Sequence, residues 1–267
     1  MSRGIALAVL GEPLAYTCSP ALHRAGLTAA GLTGTSAALR TSATSVGERL
    51  RELDAYGFRG ANLTHPLKEA VLAHLHRVSE SSRKARSVNT VGFGDDGLWG
   101  DTTDGLGFID LLATLGRDPS RERVWLLGGG GAARSLALAL GEAGATVVSY
   151  VRRPDDARPS FSEIEGATLR PWSSLGGAPA GEPVTMVVNA TPLDAPVALD
   201  HLPSRALIVD LRYGPEVHAW IREARATGRE AYDGLGLLVF QARRSLALWL
   251  SRRVPVDPLA RAVGWPR

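Results

Sequence analysis

Residues 123–144, RVWLLGGGGAARSLALALGEAG, pass from a short apolar run through four consecutive glycines into a string of small and apolar residues that stops at Gly144. The run Val124–Leu127 has the length of one buried strand, and the segment after the glycines has the composition of a packed helix. Gly128, Gly130 and Ala133 match the spacing G-x-G-x-x-(G/A), with Gly131 and Ala132 leading into the helix. Between a strand and a helix such a turn has a physical purpose. Glycine lets the backbone approach a pyrophosphate, whose negative charge meets the positive end of the helix dipole. The bland alternative is a flexible glycine turn. A strand, turn and helix of this kind call for a parallel sheet covered by helices, so the chain is expected to be α/β with a Rossmann-like doubly wound domain.

The next apolar run, TVVSYV (146–151), ends at Arg152 and Arg153. A fold that binds NAD places an acidic residue there, about 20 residues past the glycines, to receive the ribose 2′-hydroxyl. Two guanidinium groups suit a 2′-phosphate instead, so NADP is the expected cofactor, against the alternative of arginines that only face solvent. TMVVNATP (185–192) ends in Asn189 and Thr191, and RALIVDLRYG (205–214) ends in Asp210 and Tyr213. Strand tips of this sort line the crevice where open parallel sheets bind ligands.

The 267 residues suit one large or two medium domains, and 45% hydrophobic with 21% charged residues describe an ordinary globular chain. A net charge of +3, with arginines scattered among the acids, argues weakly at most for nucleic acid, and none is expected as a partner. Cys18, the single cysteine, cannot close an internal disulfide, which suits a reducing, cytoplasmic compartment; no Cys/His cluster has metal-ligand spacing, so no metal is expected. His74 and His76 read as surface residues on different sides of a helix. No apolar run approaches the roughly 20 residues that cross a bilayer, so no membrane partner is expected. Oligomeric state stays open, with a homodimer among the possibilities.

In the first half, IALAVL (5–10) reads as a strand, and Ser19-Pro20 as a helix start with a capping hydroxyl and proline at the first helical position. SVGERLRELDA reads as an amphipathic helix, and HPLKEAVLAHLHRV as another, opened by Pro66 with Leu67, Val71 and Leu75 on its buried stripe. Lys68 falls in its first turn, where the helix dipole works against an ammonium. Only Lys68 and Lys84 are lysines among 30 basic residues. Either Lys68 is a leftover of a drift to arginine, or an amine able to release its proton is needed there, which arginine cannot supply. Thr17, Ser19, Asn62, Thr64, Asn89, Thr103 and Asp104 sit in short loops and offer the hydroxyls, amides and carboxylate that recognise a polyhydroxylated acid.

The blocks GEPLAYTCSPALH, GFRGANLTHPLKE, ARSVNTV, GDTTDGLGF, LLGGGGAARSLALAL, VVNATP, VDLRYGP and DGLGLLVFQA resemble, in order and spacing, those of shikimate dehydrogenases from about residue 5 to residue 250. The resemblance implies a two-domain enzyme that reversibly reduces 3-dehydroshikimate to shikimate with NADPH in aromatic amino-acid biosynthesis. It implies a substrate-binding domain, 1–101 plus 236–267 with the returning C-terminal helix, and a dinucleotide-binding domain, 102–235. Lys68 and Asp104 would be the catalytic pair. Asn62, Asn89, Thr64 and Gln241 would hold ring hydroxyls, and Thr17, Ser19 and Tyr213 the carboxylate. Gly128, Gly130, Gly131, Ala132, Arg152, Arg153, Asn189 and Thr191 would hold the dinucleotide, with Gly234, Gly236 and Leu237 near the nicotinamide.

The sequence departs from the family pattern at several points. Tyr16 stands at a usual histidine, Thr17 at a serine, Thr102 at an asparagine and Leu237 at a methionine; Val151 and Arg153 replace the outer residues of an Asn-Arg-Thr motif. These leave quinate or an aminated relative open as substrate, and a non-catalytic sensor of NADP(H) or a metabolite as the reading of a different class.

Overall fold

The opening apolar run forms β1 (Ile5–Gly11), whose Leu7, Ala8, Val9 and Leu10 are all buried because sheet and helices cover both faces. In the computed structural model, which describes residues 4–14, 16–175 and 184–267, α1 (Ser19–Ala29), β2 (Gly34–Arg40), α2 (Val46–Ala55) and β3 (Gly60–Leu63) follow in alternation. β2 and β3 flank β1 in parallel register. Then come α3 (Leu67–Ala70), β4 (Arg77–Val78), α4 (Glu80–Ala85), β5 (Thr90–Gly92) and β6 (Trp99–Asp101). Among the described residues the first sheet has the order β2-β1-β3-β5-β6-β4, with β5 antiparallel to both neighbours, so it is mixed.

α5 (Asp104–Thr114) leads to the second unit. Its elements are β7 (Arg123–Leu127), α6 (Gly131–Glu142), β8 (Thr146–Val151), α7 (Pro154–Phe161), β9 (Ala167–Pro171), β10 (Met186–Asn189), β11 (Leu207–Asp210), α8 (Ala219–Ala226) and β12 (Ala231–Tyr232). Their order among the described residues is β12-β11-β10-β7-β8-β9, parallel at each pairing. Counted from β7, this is the doubly wound order 3-2-1-4-5-6, and the chain reverses its winding between β7 and β10. The expected Rossmann-like sheet is present, with its switch point at the glycine turn.

α9 (Leu235–Leu250) and α10 (Val256–Val263) return to the first unit. Leu246, Val239 and Trp249 of α9 share a buried cluster with Leu7 of β1 and with Leu22 and Leu27 of α1. α5 packs against α9 and α6; a Cβ at Gly107 would lie 2.8 Å from the Gln241 backbone nitrogen, so only glycine allows that approach. This contact carries Asp104, at the start of α5, toward Gln241.

Two expected elements differ. The long helix from Pro66 is only α3 followed by a 3-10 turn, Val71–His74; Leu75 is extended and the chain enters β4. Backbone pairing overrides the four-residue periodicity: His76 and Arg77 donate to the Leu98 carbonyl, and Leu98 N–H donates to His76 Nδ1 at 3.0 Å. At α1, Ser19 is the first helical residue and Cys18 precedes it without a capping bond; Thr17 Oγ1 accepts the Ser19 N–H at 3.3 Å. No helix among the described residues is long and apolar enough to cross a membrane. Among those residues, no group of three or more His, Cys, Asp and Glu could hold a metal ion.

Candidate active site

Lys68 lies in α3, just after the end of β3, and Asp104 opens α5; neither tip is near the other in sequence. Packing brings them together. Lys68 Nζ donates to Asp104 Oδ2 at 2.5 Å, with side chains 20% and 6% exposed. Taking one partner from so buried a pair strands the other charge, so the two stand or fall together. Asn89 Nδ2 holds the second carboxylate oxygen, Oδ1, at 2.8 Å, and also reaches Thr103 Oγ1 and Gln241 Oε1. The carboxylate is thus gripped on both oxygens.

Behind Asn89 runs a buried polar layer. Thr90 Oγ1 donates to Asn89 Oδ1, which also accepts the Thr103 N–H, and Ser245 Oγ lies 2.7 Å from Thr90 Oγ1. Asn62 Nδ2 faces the Asn89 carbonyl, Thr90 Oγ1 and Ser245 Oγ, while its Oδ1 is 2.8 Å from His23 Nε2. Since that oxygen can only accept, His23 is protonated on Nε2, and Nδ1 accepts from Ser36 at 2.8 Å. Full burial pushes the His23 pKa down to about 4, so the ring is neutral near pH 7.

The glycine turn between β7 and α6 lies against Lys68 itself and Ser87. Gly128 has φ +123°, a conformation only glycine adopts cheaply, and a Cβ there would meet the Ala190 carbonyl of the β10 tip at 3.1 Å. Gly130 caps α6 with no side chain bonded over its N–H groups, and the space around it is open. A Cβ at Gly131 would lie 2.6 Å from Ser87 Oγ and 3.3 Å from Lys68 Cβ, so the helix start touches the lysine. Uncapped N–H groups, open space and a helix N-terminus fit a pyrophosphate. Arg152 and Arg153 are exposed past the end of β8, with Arg153 Nε 3.1 Å from Asp156. Those guanidinium groups fit a further phosphate on the adenosine ribose.

A third cluster joins the two units. Thr17 hydrogen-bonds Tyr213, and the Tyr213 ring lies 5.9 Å from that of Tyr16. Burial raises the Tyr213 phenol above its ordinary value, which the Thr17 bond partly opposes. The phenol therefore stays protonated and able to donate.

Residues 9–91 match the model of the shikimate dehydrogenase substrate binding domain. The NADP(+)-dependent shikimate dehydrogenase of Acidiphilium cryptum is 37% identical over 263 residues, covering 96% of this chain and 94% of that protein. The chain belongs to the shikimate dehydrogenase family. A crystal structure of a Thermus thermophilus shikimate 5-dehydrogenase in complex with NADP(H) and shikimate aligns at TM-score 0.86 and 34% identity, covering 97% of this chain and 98% of that one. A ligand-free 5-ketofructose reductase of Gluconobacter sp. strain CHM43 aligns at TM-score 0.82 and 28% identity, covering 98% of both chains.

Within this shikimate dehydrogenase fold, Lys68, Asp104, Asn89 and Gln241 meet in one buried network, and Thr17, Ser19 and Tyr213 group at the third cluster. Other expected residues make contacts within the protein. The polar atoms of Asn62 are bonded to protein, which makes it a support for Asn89 rather than a free hydroxyl ligand. Asn189 is buried in the same way, donating to the Leu193 carbonyl and Asp210 and accepting from Thr191. It shapes the β10 tip. Gly236 faces Trp265 and Leu111, and Leu237 belongs to the buried cluster that includes Phe108 and Phe240. Gly234 begins α9, with the Leu211 carbonyl 2.0 Å from where its Cβ would be. Sequence reasoning does not find His23, Thr90 and Ser245, because the bonds that tie them into this layer include long-range ones spanning 13 to 183 residues. The histidine inside an apolar helix face was the one available signal.

Proposed function

We infer that this chain is an NADP-dependent shikimate dehydrogenase that interconverts shikimate and 3-dehydroshikimate. The carrying observation is the Lys68–Asp104 pair at 2.5 Å, set directly against the start of the dinucleotide helix. When bound, NADP takes up or supplies the hydride. In oxidation the substrate carbon loses its hydride and the hydroxyl loses its proton; the Lys68–Asp104 pair receives the latter and returns it in reduction. Asn89 fixes the carboxylate of that pair and is itself held by Gln241, and these two amides border the substrate ring, with the Thr64 hydroxyl offered from the end of β3. Thr17, Ser19 and Tyr213, all able to donate hydrogen bonds, hold the substrate carboxylate across the units. Arg152 and Arg153 select the 2′-phosphate, and the turn Gly128–Ala132 carries the pyrophosphate.

This reading divides the chain into a substrate-binding unit, 1–101 with 236–267, and a dinucleotide-binding unit, 102–235, supported by the packing of α9 on α1. The lone thiol of Cys18 suits a cytoplasmic setting. The likeness to a 5-ketofructose reductase favours one second reading, a reductase of another cyclic or open hydroxyketone. Steady-state assays of shikimate, quinate and 5-ketofructose with both nicotinamide cofactors decide between them. Shikimate with NADP⁺ is expected to give the highest kcat/KM; preference for 5-ketofructose with NADPH would replace the substrate assignment. Lys68→Ala should lose about 10²- to 10⁴-fold in kcat while still binding NADP⁺.

A further inference from the structure

Arg134 lies in the first turn of α6 and is only 5% exposed. A cation there works against the helix dipole and loses its hydration, so its place needs strong compensation. Four hydrogen bonds supply it. Nε donates to the Ala85 carbonyl at 2.7 Å and Nη2 to the Arg86 carbonyl at 2.8 Å, both at the end of α4. Nη2 also donates to Glu69 Oε2 at 2.9 Å, on the residue next to Lys68. Nη1 donates to the Gly129 carbonyl at 3.0 Å, inside the dinucleotide turn.

We propose that Arg134 is a positioning residue that sets the glycine turn for the pyrophosphate and ties it to the helix carrying Lys68. In a trans peptide the carbonyl and the following N–H point in opposite directions. Holding the Gly129 carbonyl therefore turns the Gly130 N–H away from the guanidinium, on the side of the turn left open around Gly130. The other three bonds anchor the same guanidinium to the substrate-binding unit at Glu69 and at the α4 end. A lysine, with one point charge, cannot bridge four acceptors arranged around a planar fork. This inference rests on the NADP reading above.

The test compares Arg134→Lys with wild type by calorimetric titration of two probes. NADP⁺ engages the glycine turn, whereas adenosine 2′-phosphate lacks the pyrophosphate and reports only on the Arg152 and Arg153 end. Arg134→Lys should weaken NADP⁺ about tenfold and leave adenosine 2′-phosphate within about twofold, because one charge-assisted contact at the turn is lost. It should also lower kcat while the shikimate KM stays within about twofold. Arg134→Gln, closer in shape and uncharged, carries the same expectation if the lysine variant fails to fold by circular dichroism. Arg83→Met removes a second ion pair between the units, Arg83 to Glu163, and should leave both probes unchanged. Unaltered NADP⁺ affinity in the Arg134 variants overturns the proposal. So does equal weakening of both probes, or an equal loss in Arg83→Met. Wild type that binds NADP⁺ yet oxidises no shikimate ends the activity reading and leaves the Arg134 comparison intact.

Discussion

The Asn89 amide donates to Asp104 Oδ1 at 2.8 Å, on the opposite oxygen from the one Lys68 holds. The carboxylate can then neither rotate nor drift when substrate arrives, and its free lone pairs face a fixed direction. Asn89 in turn takes its own orientation from Thr90, Thr103 and Gln241. The geometry of the Lys68–Asp104 pair depends on a network that runs along the face of the first sheet covered by α1 and α9, as far as Ser36 on the edge strand β2.

Removing the amide should show this. Asn89→Val leaves the Thr103 N–H without its acceptor and Asp104 Oδ1 without its donor, each at about 1–3 kcal/mol. Activity should drop roughly 10- to 100-fold in kcat and the melting temperature should fall, as read by steady-state kinetics and calorimetry. Wild-type kcat in a folded Asn89→Val protein would show that the carboxylate needs no such clamp.

Contact between Gly131 and the lysine helix predicts a steric coupling. Gly131→Ala forces a methyl to within 2.6 Å of Ser87 Oγ and 3.3 Å of Lys68 Cβ, pushing α6 away from the Lys68–Asp104 pair. A kcat about tenfold lower is expected, since small misplacements of reacting groups are costly. Adding Ser87→Gly should restore most of it. Additive losses in the double variant would mean that the two sites do not meet in solution.

Cofactor choice should follow the two arginines. With Arg152 and Arg153 both changed to alanine, the NADP⁺ KM should rise about 10- to 100-fold while that for NAD⁺ moves little, because only NADP⁺ carries the 2′-phosphate. Parallel changes for both cofactors would place the 2′-phosphate elsewhere.

His23 predicts a stability change with pH. Its folded-state pKa, about 4, lies below the ordinary 6.5, so the unfolded chain binds the proton more readily. Stability contributed by neutral His23 is complete above about pH 6.5 and is lost as pH falls toward about 4, by roughly 2 kcal/mol between pH 7.5 and 5. Urea unfolding at those two values should show a smaller difference for His23→Gln than for wild type. An identical slope in the two proteins would remove His23 as the cause.

The sequence by itself determined the parallel-strand core of the second unit, while α7, β9, α8 and β12 carried no such signal. Val124–Leu127, TVVSYV and the apolar cores of the runs at 185–192 and 205–214 became β7, β8, β10 and β11, because buried parallel strands are continuous apolar runs and the glycine turn marks the strand-to-helix transition between the first two. It also pointed to Lys68 and Asp104 as chemistry-bearing side chains. What it could not contain was the distance between them, or the polar layer of His23, Asn62, Thr90 and Ser245 that supports Asn89, since each of those bonds joins segments brought together only by the packing of α9 and α1 on the first sheet. The short α3 has the same origin. Its local periodicity favours a longer helix, but the chain after His74 gains strand pairing with β6, and backbone bonds to a distant strand outweigh a helical propensity that each residue expresses weakly.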